Sequence, residues 1–171
     1  MAFHRLLAKS ESGTVSALAW LGLVTAVITA STFAILQAVD GIALKIAVDT
    51  WYAIPPSAAD GEEEKAIAFR VAEGIRWTEI GINSYFRIFQ GTVAVIFGVA
   101  IAMTKLLGRW IGGLGIFTGA ATIIAGIGVA YVGFSTNQAL LSVVSTVTFF
   151  AWLVILGIFM WRKTRIKIIT K

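Results

Sequence analysis

The chain of 171 residues is 58% hydrophobic and only 13% charged, with a mean hydropathy of +0.87. An ordinary soluble domain carries roughly 25% charged residues, so this composition excludes that class and predicts a membrane protein. The chain has no cysteine, which excludes disulfides, thiolate metal sites and iron–sulfur clusters. Its net charge of +5 comes from basic residues that flank apolar runs, so we expect no nucleic-acid partner.

Four long apolar runs predict an all-α integral membrane protein, a four-helix bundle in one domain. A bilayer core of about 30 Å needs about 20 helical residues. The predicted spans cover residues 14–37, 80–104, 110–134 and 139–161. The first run also resembles a secretory signal, with a small-residue site at residues 28–31. Residues 12–39 are uncharged, however, which is longer than the apolar part of a signal peptide, so we expect a retained span.

The connection between the first two spans, residues 38–79, is too long for an ordinary structureless loop. Apolar residues recur in its first half at helical spacing, at Ile42, Ile46, Trp51 and Ile54. Pro55 and Pro56 then end that helix. A second helix start is indicated by Ser57 as N-cap and by acidic residues that suit a positive helix end, Asp60, Glu62, Glu63 and Glu64. We predict an extracytoplasmic helical hairpin with the two prolines at its tip.

Charged residues of the two hairpin helices come opposite each other if the helices pack antiparallel. The expected ion pairs are Asp40 with Arg76, Lys45 with Glu73, and Asp49 with Arg70. Exposed pairs of this kind contribute about 0–1 kcal/mol each. We therefore expect them to set the register of the hairpin more than its stability.

Lys and Arg residues predict the orientation of the chain, because cytoplasmic segments carry the excess. With residues 1–13 inside, the loop at 105–109 and the tail at 162–171 are also inside, and 135–138 is an outer turn. The inner side then holds Arg5, Lys9, Lys105, Arg109, Arg162, Lys163, Arg165, Lys167 and Lys171. The outer side holds only Lys45, Lys65, Arg70 and Arg76. We expect a multi-pass protein of the cell membrane with cytoplasmic termini, whose basic tail binds anionic lipid.

Glycines at intervals of seven are the clearest periodic signal in the chain. They are Gly91 and Gly98 on the second span, and Gly112, Gly119, Gly126 and Gly133 on the third. A seven-residue repeat keeps one seam facing a partner helix, and glycine lets the two backbones approach closely. The seam predicts close packing of these two spans, or alternatively contact with another subunit.

Polar residues form a stripe on the second helix, where spacings of three and four put them on one face. The stripe consists of Arg76, Glu79, Asn83, Arg87 and Gln90. Arg87 lies within the span, where a bare guanidinium is costly, so we expect a partner among Thr29, Thr32, Asn83, main-chain carbonyls, water or a lipid phosphate. Three interpretations stay open: a snorkelling arginine in a structural polar network, a pocket for a ligand or lipid headgroup, and a transport path. Hydroxyls of the first span are predicted to bond between helices, at Thr25, Thr29, Ser31 and Thr32.

The remaining residues predict neither an enzyme nor a cofactor site. The carboxylates are spaced like helix-surface charges, and the one histidine, His4, precedes the first span. A nucleophile with an oriented base cannot be assembled without cysteine or a suitably placed histidine, and a histidine-ligated haem or copper site cannot be built in the membrane by this chain alone.

Several segments resemble a known group of proteins: AVDGIALKIAVDTWYAIPP, EGIRWTEIGINSYFRIFQG, GRWIGGLGIFTGAATIIAGIGVAYVGFS and WLVILGIFMWRK. They are similar to small, uncharacterised prokaryotic multi-span proteins of a domain-of-unknown-function family. The resemblance spans residues from about 37 to 163. It implies the multi-span topology and carries no activity, cofactor or catalytic motif with it.

The sequence favours two functional hypotheses. The first is a non-enzymatic membrane protein, an accessory subunit of a larger complex or a self-associating scaffold, with membrane lipids and other subunits or further copies as partners. The second is a protein that binds or transports a lipid or small apolar ligand at the polar stripe.

Overall fold

The computed structural model describes residue 7 and residues 12–55, 61–104 and 107–169, with side chains as far as Arg162. Four long helices make up these segments: α1 (Gly13–Ala53), α2 (Gly61–Met103), α3 (Arg109–Val132) and α4 (Thr136–Ile169). The described segments contain no strand, so the predicted all-α class is confirmed. Pro56, Ser57 and Asp60, predicted near the hairpin tip, lie outside the described residues.

All four helices are long and apolar enough to cross a membrane. The 24 residues of α3 make it about 36 Å long, which suffices for a crossing. The 41 residues of α1 and the 43 of α2 make these helices about 60–65 Å long. Each therefore extends about 30 Å beyond a crossing. We call residues 39–55 and 61–79 the hairpin, and the end of the molecule that carries them the hairpin end.

A π-helical segment, Val39–Leu44, joins the span part of α1 to its hairpin part. It lies between the α-helical stretches Gly13–Ala38 and Lys45–Ala53. The segment begins where the uncharged run ends, and it includes Asp40 and Gly41. Because helical backbone continues through it, the hairpin is a direct extension of the span.

The helices pack in chain order, α1 against α2, α2 against α3 and α3 against α4. The closest approach is between α2 and α3, at the predicted glycine seam. A Cβ atom added to Gly91 would lie 2.5 Å from the carbonyl oxygen of Gly119, and one added to Gly98 would lie 2.8 Å from that of Gly112. The two backbones are therefore in direct contact, and these four glycines face each other within one chain.

Gly133 does not belong to this seam, contrary to the prediction. It ends α3 with φ +62° and ψ −149°, a conformation restricted essentially to glycine. Gly126 does face α2, where the side chain of Arg87 begins, and its carbonyl accepts a hydrogen bond of 2.8 Å from Ser84 Oγ. The close backbone contact thus ends before Gly133, because α3 stops at Val132; a Cβ added to Gly133 would meet only the side chain of Ile80 on α2, at 3.8 Å.

Trp152 on α4 fixes the contact between α3 and α4. Its indole ring covers Gly115, and its Nε1–H donates a 3.0 Å hydrogen bond to the carbonyl of Ile111. The same side chain joins a buried cluster with Ala94 and Ile101 of α2. One aromatic residue therefore ties three helices together at the end opposite the hairpin.

Candidate functional site

The polar stripe of α2 lies on a face that α4 covers only in part. Ala94 and Ile101, on the same helical face, are fully buried in the cluster that contains Trp152. The stripe residues closer to the hairpin end are only half-buried: Asn83, Arg87 and Gln90. The part of this face far from the hairpin end is therefore closed, and the part near the hairpin end is accessible.

Arg76 and Glu79 form an ion pair at the hairpin end of the stripe. Glu79 is only 4% exposed, and the guanidinium carbon of Arg76 lies 4.9 Å from the ring centroid of Phe134 in the α3–α4 connection. Arg76 thus neutralises a buried carboxylate and makes a cation–π contact at the same time. This arrangement anchors the α3–α4 connection to α2, so its immediate role is structural.

Arg87 is held by Asn83 one turn closer to the hairpin end. Its Nε donates a 2.9 Å hydrogen bond to Asn83 Oδ1, so the side chain points toward the hairpin end, as helical geometry favours. Of the partners considered from the sequence, the structure selects Asn83. Among the described residues, no acceptor lies within hydrogen-bond distance of the two Nη atoms.

The hydroxyls of α1 do not bond to Arg87 or to another helix, contrary to the prediction. Thr25, Thr29 and Thr32 donate instead to carbonyls of their own helix, those of Leu21, Thr25 and Ile28, at 2.8–2.9 Å. Within a helix the carbonyl four residues back is always in reach, so a threonine hydroxyl can be satisfied without a neighbour.

The three ion pairs predicted across the hairpin are wrong. Each charged residue that forms a pair does so within its own helix: Lys45 with Asp49, Arg70 with Glu73, and Arg76 with Glu79. Partners three or four residues apart meet on one helix surface without bridging two helices. Asp40 has no ion-pair partner among the described residues.

Aromatic and apolar side chains occupy the interface of the hairpin instead of charges. In the hairpin the rings of Trp51 and Phe69 lie 6.2 Å apart, and in the adjoining spans those of Phe33 and Phe86 lie 5.1 Å apart. Both contacts match the predicted antiparallel register closely. A cleft of about 470 Å³ between the helices is lined mainly by apolar residues, with Glu73 and Arg76 at its edge. The register was therefore readable from the sequence, whereas the facing residues were not.

A buried polar column between α3 and α4 was missed in the sequence. It consists of Thr118, Thr122, Gln138, Ser142 and Ser145, all at most 8% exposed. Gln138 Nε2 donates a 2.6 Å hydrogen bond to the carbonyl of Ala125, while Thr118 Oγ1 and Ser142 Oγ have no partner among the described residues. Spacings of three and four between these residues on each helix were the signal that could have revealed the column.

The described residues include no group of three or more His, Asp or Glu side chains that could hold a metal ion. From Asn83 to Gln90 the stripe offers hydrogen bonding and positive charge, supplied by the guanidinium of Arg87 and by the side-chain amides of Asn83 and Gln90.

The site of interest is therefore the accessible stretch of α2 from Asn83 to Gln90, with Arg87 at its centre. The predicted resemblance to a domain-of-unknown-function family stays a prediction. Comparison of the chain with protein-family models, curated proteins and solved structures finds no match.

Proposed function

We propose that the protein is a non-enzymatic membrane protein that associates through its hairpin, as an accessory subunit of a larger membrane complex or as a self-associating scaffold. The observation that carries this proposal is apolar surface that the hairpin leaves uncovered. On α1, Ile42, Ile46 and Tyr52 are 62%, 59% and 82% exposed. On α2, Ile67 and Val71 are 60% and 54% exposed.

These side chains differ from the exposed apolar residues of the spans, which lipid would cover. They lie among exposed charges that require water, such as Lys45, Asp49 and Glu63. Ile42 and Ile46 are neighbours at a spacing of four on α1, as are Ile67 and Val71 on α2, and grouped apolar side chains in an aqueous environment mark an interaction site. Each such side chain contributes about 1.5–3 kcal/mol when a partner buries it fully. Several of them together favour a stable contact.

The glycine seam offers no second surface for association, because α2 and α3 already bury these glycines against each other. An added Cβ at Gly91 or Gly119 already meets the backbone of the other helix at 2.5 Å. A second subunit cannot reach these positions without separating the two helices. The hairpin is therefore the surface that supports association.

Orientation is a further part of the proposal, with both termini in the cytoplasm and the hairpin outside, and the distribution of Lys and Arg supports it. The chain lacks cysteine, so single cysteines can report topology. In intact cells, we expect a membrane-impermeant maleimide to label Glu63→Cys and to leave Arg162→Cys unlabelled until the cells are opened. The reverse pattern would overturn the orientation.

Association is tested by native mass spectrometry after gentle extraction of the full chain from its own membranes. We expect the wild-type chain to leave the membrane in a defined complex, either as a multiple of its own mass or with one further subunit. The double variant Ile42→Ser, Ile46→Ser should lower the association constant at least about tenfold, since losing two buried isoleucines costs more than about 1.4 kcal/mol.

A matched control uses the ion pair on the same helix. The double variant Lys45→Gln, Asp49→Asn removes two exposed charges and should leave the complex within about twofold of wild type, because such pairs contribute little. A wild-type chain that is strictly monomeric and partnerless would refute the proposal. So would a complex that survives the isoleucine changes unaltered.

A second candidate function is binding or transport of a lipid or small apolar ligand at the polar stripe. The specific observation in its favour is Arg87, whose two Nη atoms have no acceptor among the described residues although the side chain is half-buried. A cationic group at membrane depth requires an acceptor.

A further inference from the structure

We infer that Arg87, oriented by Asn83, binds the phosphodiester of a glycerophospholipid in the leaflet at the hairpin end, with Gln90 directed at an ester carbonyl of the same lipid. The inference rests on the second candidate function and names the ligand class of that site. It is independent of association through the hairpin.

The first step is the number of donors that Arg87 has left. A guanidinium carries five N–H donors, and the bond from Nε to Asn83 Oδ1 uses one of them. That bond also fixes the plane of the group. The remaining Nη donors form a planar fork, which matches two phosphate oxygens better than it matches any single neutral acceptor.

The second step is depth. The Cβ atom of Arg87 lies against Gly126, six residues before the last residue of α3, Val132, which places it about 9 Å below that end. The side chain points toward Asn83, one turn nearer that end, which brings the guanidinium several ångströms closer to it. The guanidinium therefore lies within about one helical turn of the level of Tyr131, an 87% exposed aromatic residue of the kind that marks the headgroup region.

The third step is the position of Gln90. It lies three residues further along α2 on the same face and is half-buried. Its Cα atom is about 4.5 Å deeper than the Cα atom of Arg87. No hydrogen bond to its amide occurs among the described residues. A glycerophospholipid carries its ester carbonyls on the hydrocarbon side of its phosphate, which is the arrangement these two donors require. Inorganic phosphate could accept hydrogen bonds from Arg87 but has no carbonyl for Gln90.

The other charges on this face do not compete for the same role. Arg76 is engaged by Glu79 and by the ring of Phe134. Glu79, the carboxylate nearest along the face, is neutralised by that pair. The positive charge of Arg87 is therefore the one on this face that lacks a counter-charge among the described residues.

The test uses the full chain purified in lipid-free detergent, with bound lipid counted by native mass spectrometry. Phosphatidylglycerol is titrated against diacylglycerol with the same acyl chains, which lacks the phosphate. We expect wild type to bind one phosphatidylglycerol about tenfold more tightly than diacylglycerol, and Arg87→Gln to lose that one tight site while the anionic lipid expected at the basic tail remains, since a charge-assisted pair contributes enough for a tenfold change. Arg87→Lys should keep part of the preference, because it keeps the charge and loses the fork.

Arg109→Gln is the matched control, because Arg109 is an exposed arginine at the opposite end of the molecule. It should leave the preference intact, which excludes a general effect of net charge. Gln90→Leu should lower affinity for the ester-linked lipid about threefold and leave an ether-linked analogue unchanged. The thermal unfolding midpoint of every variant is compared with that of wild type, so that loss of binding can be distinguished from loss of fold.

The outcomes separate the phosphate assignment from the function on which it rests. If excess inorganic phosphate displaces phosphatidylglycerol, the claim that the bound phosphate belongs to a lipid is wrong. Equal binding of diacylglycerol, lost with Arg87→Gln, would overturn the phosphate assignment and leave lipid binding at the stripe standing. Identical lipid binding by wild type and Arg87→Gln would overturn both.

Discussion

Replacing Gly119 by alanine is expected to lower the free energy of unfolding by about 1–3 kcal/mol, the usual cost of overpacking. The new Cβ would lie 2.5 Å from the carbonyl oxygen of Gly91 and 2.8 Å from the backbone nitrogen of Val95. These are backbone atoms of another helix, so they cannot rotate away as a side chain would. Relief requires α2 and α3 to separate along their whole contact. Thermal or denaturant unfolding in detergent micelles measures the effect.

Gly113 provides the matched control on the same helix. A Cβ added there meets nothing within 4 Å, so Gly113→Ala should be neutral or slightly stabilising, because alanine is the better helix former. Gly91→Ala should resemble Gly119→Ala, and the double variant should cost less than the sum, since both changes separate the same two helices. Equal stability of the Gly113 and Gly119 variants would contradict the close approach.

Replacing Arg76 by alanine is expected to destabilise the protein by about 2–3 kcal/mol. Loss of Arg76 leaves the carboxylate of Glu79, only 4% exposed, without its counter-charge. Breaking a fully buried pair from one side costs about 3–5 kcal/mol. We expect a smaller value here because the side chain of Arg76 is 46% exposed and water screens part of the interaction.

Arg70 is the control for this prediction. It pairs with Glu73 at the same spacing on the same helix, but its side chain is 79% exposed, so Arg70→Ala should cost at most about 1 kcal/mol. Adding Glu79→Gln to Arg76→Ala should restore part of the stability, because it removes the uncompensated charge. Equal effects of the two arginine changes, or no rescue by Glu79→Gln, would refute the buried pair.

Periodic features of single helices were predictable from the sequence. The length and apolar character of the four helices follow from composition, since roughly 20 apolar residues suffice for a crossing. The seven-residue spacing of Gly91, Gly98, Gly112 and Gly119 predicted close contact between two helices, because only glycine lets backbones approach so closely. Antiparallel register in the hairpin followed from its length and its single break.

Contacts that depend on rotation about a helix axis were not predictable in the same way. Lys45 and Arg70 have acidic neighbours within reach on their own helices, and those neighbours are satisfied without crossing the hairpin. The threonines of α1 use their own backbone for the same reason. Gly133 continues the numerical repeat but follows the end of α3, where it serves the turn. For the charged residues and the threonines, a partner on the same helix is in reach before one on a neighbouring helix.

The sequence by itself determined that this protein is all-helical, has four membrane-length apolar helices and carries a polar stripe on α2, because these properties depend on residue type and spacing along a single helix. Only the tertiary structure decided which glycines are in contact, that Arg76 also lies against Phe134 while Glu79 is buried, and that no described group of α3 or α4 accepts from the remaining donors of Arg87. Those outcomes depend on how α3 and α4 are placed around α2. Spacing along one helix carries no information on where a neighbouring helix ends or which side chain it brings.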